Sequence, residues 1–154
     1  MMVNWSPHPQ CTPNITFERL PEDLGIKSRA AVLANTIYTC GGLEQEKTCY
    51  AANVTGGSWK RVEDLNEERY EHTLTSVGDQ LVVTGGLIEY TMPRMPPNLS
   101  STVEIYKVGS GWEVASWRLL QPDAFHCAFE TSASELLVVS GRSNLTGMSI
   151  RYKI

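Results

Sequence analysis

Three apolar segments of equal length recur along the chain, each closing on glycine: Asn35–Gly42 (NTIYTCGG), Asp79–Gly86 (DQLVVTGG) and Ser134–Gly141 (SELLVVSG). They align without gaps. Each is short, rich in β-branched or aromatic residues and bounded by turn formers, which is how a buried strand reads; a helix needs a longer run at period 3.6. A further short strand precedes each, over Ala30–Ala34, Thr73–Val77 and Cys127–Thr131, joined to it by a tight polar turn such as Gly78-Asp79. Downstream, Thr48–Tyr50, Thr102–Tyr106 and Ser149–Tyr152 each carry a tyrosine suited to a sheet. An aromatic then opens a fourth strand over Trp59–Leu65 and again over Trp112–Leu120.

A four-stranded unit of about 40 to 55 residues with a glycine pair and a trailing tryptophan resembles the kelch repeat. In the middle unit Arg69, His72, Gly85-Gly86, Val103-Glu104-Ile105-Tyr106 and Trp112 fall in the family order. The resemblance implies an all-β chain of about three propeller blades, with Gly41, Gly42, Gly85, Gly86, Gly141, Tyr50, Tyr106, Tyr152, Trp59 and Trp112 as its structural repeat positions. It divides the chain into an extension (1–14) and a repeat domain (15–154), the latter comprising a closing strand and entry loop (15–28), blade 1 (29–68), blade 2 (69–122) and an incomplete blade 3 (123–154).

The first unit lacks the family's glutamate beside Tyr50, and the third has Ser140-Gly141 for paired glycines. The third also ends before a tryptophan strand, and Ile15–Pro21, with Phe17 at the tryptophan's place, is expected to supply it. Closed propellers carry about four to eight blades. Three blades therefore imply a partial propeller within a longer protein, or a homodimer completing a six-bladed ring; pairing covers both open faces at once.

Composition narrows the partners. The chain has 154 residues, 42% hydrophobic and 19% charged, which suits one globular domain. A net charge of -4 leaves no basic field for nucleic acid. No apolar run approaches the ~20 residues of a membrane-spanning helix. Met1–Pro13 has no apolar leader, which favours an intracellular chain, whereas the sequons at Asn14, Asn53, Asn98 and Asn144 are glycosylation acceptors if the chain enters a secretory lumen. The two signals point to different compartments.

No hydrolase elbow, phosphate loop or zinc-protease helix occurs, so no catalytic residue is assigned and no cofactor is implied. His72, His126, Cys127, Cys40 and Cys49 have donor types for a soft metal, but their spacing is unlike known metal sites and no metal is assigned. The histidines are expected to bond loop carbonyls beside the inner strands, and the cysteines to fill small sheet positions as buried hydrophobes. A Cys40–Cys49 disulfide is the second option, since the two lie on neighbouring strands. Trp59 and Trp112 are read as packing between blades, and Trp117, off the repeat, as exposed.

In kelch propellers the entry loops and the loops after the glycine pairs share one face, where partner peptides bind. Carried over by position, this face comprises Arg29, Arg69, Asp123 and Phe125 from the entry loops, with Glu44, Glu46 and Lys47, then Glu89, Tyr90, Arg94 and Met95, then Arg142 and Asn144 from the glycine loops. Arg29 and Arg69 are placed either to clamp an acidic peptide or to pair with a loop carboxylate. The long loop Leu87–Ser101, with Tyr, Met and Pro, is either a contact segment or an insertion. The resulting expectation is a non-catalytic protein-protein interaction module whose partner is a protein or peptide. Its rivals are an extracellular glycan-binding or adhesion fragment, and a kelch-fold enzyme of the oxidase or sialic acid mutarotase type.

Overall fold

A computed structural model describes residues 26–44, 46–88, 98–139, 141 and 149–154. Among them the chain is all-β, with eleven strands in three antiparallel meanders and no helix. Sheet I runs β1 (Arg29–Leu33), β2 (Thr36–Cys40), β3 (Cys49–Asn53), β4 (Lys60–Val62). Sheet II runs β5 (Thr73–Val77), β6 (Gln80–Thr84), β7 (Val103–Lys107), β8 (Gly111–Val114). Sheet III holds β9 (Cys127–Ser132), β10 (Glu135–Val139) and β11 (Ser149–Lys153), in the order β9-β10-β11. The segment expected to add a fourth strand to sheet III, Ile15–Pro21, lies outside the described residues.

The hairpin turns set the register. Ala34 and Asn35 take φ of 47° and 62° between β1 and β2, the double left-handed turn that matches strand twist. Ala34, expected to end the first strand, is therefore a turn residue. The fourth strands are also shorter than expected. After Val62 and Val114 the chain leaves the ladder, and its amides turn to loop carbonyls: Leu65 N–H to Lys47 O at 2.9 Å, and Leu119 N–H to Ser101 O at 2.8 Å. Both leucines are buried by this inward turn.

Sheet II lies between the other two, so β6 has no solvent face. Leu81, Val82, Val83 and Thr84 are all fully buried, which accounts for a continuous apolar run in place of alternation. Towards sheet I, Leu81 and Val83 join Leu33, Tyr38, Leu65, Leu74, Tyr106 and Trp112, with the Tyr106 ring 5.4 Å from Tyr38 and 5.2 Å from Trp112. Towards sheet III, Val77, Val82 and Val103 meet Leu119, Leu136 and Val138. Each such aliphatic side chain contributes about 1.5–3 kcal/mol by burial.

Trp112 packs in the core, whereas Trp59 is only half-buried. Trp117 departs from expectation. It is half-buried and stacks on Tyr152 of sheet III, centroids 5.1 Å apart, because the inward turn after β8 carries it across the gap between the sheets. Cys40 and Cys49 form a disulfide across the β2–β3 pair, so they are not the separate buried thiols expected. The two residues are directly opposed across the ladder, with Cα atoms 4.2 Å apart, which brings the sulfurs within bonding reach.

Candidate functional site

The segment entering each sheet contains one residue with positive φ two positions before its first strand. These are Lys27 (78°), Glu71 (53°) and Phe125 (59°), none of them glycine. A side chain in this region is strained by about 1–3 kcal/mol, and such residues concentrate at functional sites. The three converge. Arg29 donates to Glu71 Oε2 at 2.7 Å, Lys27 Nζ lies 3.4 Å from Glu71 Oε1, and Phe125 N–H donates to Glu71 O at 3.0 Å. Arg29 and Lys27 remain more than a third exposed, and Phe125 is 44% exposed.

The glycine pairs hold these entry segments in place. Gly42 N–H donates to Arg69 O at 3.1 Å and Gly86 N–H to Asp123 O at 2.8 Å. A Cβ on Gly85 would stand 2.4 Å from Asp123 O, and its φ of 59° is itself left-handed. Gly141 is similarly confined, against Ala124 O. The glycines are thus demanded by close backbone approach as well as by conformation.

Beneath the entry segments lies a buried polar layer. The Arg69 guanidinium is fully buried and donates to Glu104 Oε1 at 2.8 Å, Glu67 Oε2 at 2.8 Å, Thr102 Oγ1 at 2.9 Å and Gly85 O at 2.7 Å. Glu104, also fully buried, accepts from the Asn66 and Glu67 amides at 2.7 and 3.0 Å. Of the two readings of Arg69, internal carboxylate pairing is the one realised. Asp123 is buried too, its carboxylate accepting from Ala124 N–H at 2.8 Å and Gly141 N–H at 3.0 Å.

Both histidines sit in this layer, but not on loop carbonyls as expected. His126 Nε2 pairs with Thr84 Oγ1 at 2.7 Å, which in turn pairs with Thr73 Oγ1 at 2.6 Å. Neither ring nitrogen of His72 has a hydrogen-bond partner of normal geometry, although the Cys40 backbone lies close enough to favour its charged form. Burial, then the Arg69 and Arg29 charges, hold His72 well below the usual 6.5. Burial also lowers His126, against the opposing pull of Asp123. No group of three or more His, Cys, Asp or Glu converges on a metal geometry among the described residues.

Above the layer, between sheets I and II, a cleft of about 390 Å³ is lined by Lys47, Asn66, Glu67, Glu68, Ile88 and Thr102, with Arg69 at its floor. Lys47 thus meets the segment entering sheet II. Glu46 is half-buried beside it, its carboxyl raised by burial and by the Glu68 charge, and Glu44 is exposed with φ of 80°. Glu89, Tyr90, Arg94, Met95, Arg142 and Asn144, and the sequon residue Asn14, lie outside the described residues. Lys27, Glu67 and Glu71 were missed by sequence reasoning. Aligning the entry segments on Arg69 and Asp123 places Glu71 with Phe125, but nothing local marks either as strained.

No family model matches the chain, and no curated protein matches it. Among the described residues, no helix is long and apolar enough to cross a membrane.

Proposed function

We propose that the three sheets are kelch-type propeller blades and that the chain is a protein-interaction module binding a peptide or protein at its loop face. The observation that carries this reading is the convergence of Lys27, Glu71 and Phe125, three strained non-glycine residues, at one end of the first strands. Two cations share one carboxylate there, leaving excess positive charge beside an exposed aromatic ring. That combination suits an extended segment carrying an acidic and an apolar side chain, the acid replacing water on Arg29 and Lys27. The test is a peptide-library screen against the full chain at low salt, repeated with Arg29→Ala and Phe125→Ala. Acidic peptides with an apolar neighbour should be enriched on the wild type and weakened about tenfold or more on either variant. Enrichment that survives both substitutions ends the reading.

A second reading concerns assembly. Val32 on the outward face of sheet I is 51% exposed, and Phe129 on the outward face of sheet III is 53% exposed. Phe129, Leu137 and Val139 share one sheet face, as Val32 and Ile37 share another. These are the faces that a twofold pair of three-bladed halves brings together. Light scattering on the chain should give about twice 17.1 kDa, reduced to the monomer by Phe129→Asp. A monomeric wild type discards the pairing.

A further inference from the structure

Asn53 ends β3 and begins the turn to β4, within the acceptor triplet Asn53-Val54-Thr55. Both Asn53 and Thr55 are exposed. Thr55 N–H and Oγ1–H donate to Asn53 Oδ1 at 2.9 and 2.7 Å, so these bonds engage the oxygen of the amide and not its nitrogen. The turn continues through Gly56-Gly57-Ser58, and a Cβ placed on Gly57 would meet no atom within 4 Å. Asn53 is itself exposed, so a bulky group attached there extends into solvent.

The other end of the same strand supplies a second, independent observation. Cys49, directly opposite Cys40 at the first step of the β2–β3 ladder, is in a fully buried disulfide within the core between sheets I and II. Disulfides form and persist in oxidising compartments and are rare where thiols are kept reduced.

We infer that Asn53 is an N-glycosylation site, occupied as the chain folds and oxidises in a secretory lumen. The sugar donor is an oligosaccharide on a polyprenyl pyrophosphate. Its C1–O bond breaks, C1 bonds to Asn53 Nδ2, the amide gives up one proton, and the pyrophosphate leaves with the electron pair. In the same compartment the Cys40 and Cys49 thiols lose two protons and two electrons to a disulfide-bearing oxidase, which becomes a dithiol. Because β3 separates the two ends by four steps of about 3.3 Å, the glycan projects from the end remote from Cys40 and the loop face. It would solubilise the molecule without covering the proposed binding surface.

The test is translation of the full chain behind a cleavable secretion leader in the presence of microsomes, scoring only protease-protected material. Peptide N-glycosidase should increase its gel mobility, and Asn53→Gln should remove one step of that shift. Thr55→Ser keeps the acceptor triplet and should keep the step, whereas Thr55→Ala should lose it, which separates acceptor chemistry from misfolding. Cys40 and Cys49 should resist alkylation until reduced. Protected chain with Asn53 unmodified overturns the site, and free alkylation of both cysteines overturns the oxidising compartment.

Discussion

Arg69 and Glu104 form an ion pair at 2.8 Å with both side chains wholly buried, joining the entry to sheet II with its third strand. Each charge has further partners: Glu67, Thr102 and Gly85 for the guanidinium, and the Asn66 and Glu67 amides for the carboxylate. Removing one partner leaves the other charge buried without compensation, which costs about 3–5 kcal/mol. Arg69→Ala and Glu104→Ala should each lower the urea midpoint by that equivalent, and the double variant should cost less than the sum. An Arg69→Ala chain as stable as the wild type would show that the pair is not closed in solution.

Gly85 and Gly57 both have positive φ but differ in surroundings. Gly85→Val drives a Cβ to within 2.4 Å of Asp123 O, and we expect a loss of more than about 3 kcal/mol or failure to fold. Gly57→Ala meets nothing and should cost about 1–3 kcal/mol from backbone conformation alone. Thermal melts of the two distinguish a packing requirement from a turn requirement.

The histidines predict acid sensitivity. In the unfolded chain each titrates near 6.5, whereas in the fold both values are lowered, His72 well below. The unfolded state therefore binds more protons as pH falls below 6.5. Stability is fully present above that pH and declines towards pH 5 by up to about 1.4 kcal/mol per pH unit per histidine. Urea unfolding at intervals from pH 8 to 5 should show this slope, and His126→Asn should reduce it.

The Cys40–Cys49 disulfide closes a loop with a sequence separation of 9. Chain-entropy reasoning gives it about 2–3 kcal/mol of stabilisation. Melting in excess reductant should fall by several degrees, and a Cys40→Ala/Cys49→Ala double variant should melt near that value and be insensitive to reductant.

The strands were readable because their signals are local. Asp79–Gly86 announces β6 through an unbroken apolar run between a turn and a glycine pair, and Gly78-Asp79 announces the hairpin before it. The fourth strands extend less far than the sequence suggests because the apolar residues of Trp112–Leu120 continue past Val114, and apolarity does not say whether a residue is buried in a ladder or beneath a loop. Leu119 and Trp117 are of the second kind. Of the residues carried over by repeat position, Arg29, Lys47 and Phe125 are at least partly exposed, whereas Arg69 and Asp123 are buried, because a few consecutive residues do not show which charge will be covered by packing.

By itself the sequence determined the all-β class, the strand order within each meander and the glycines at which neighbouring segments cross, since period, turn chemistry and backbone freedom are properties of a few consecutive residues. Only the tertiary structure decided that Arg69 serves Glu104, that Cys40 bonds Cys49 and that Lys27, Glu71 and Phe125 meet. Those pairings join residues brought together by register and by sheet-on-sheet packing. A charge or thiol carries no local mark of which distant partner will compensate its burial.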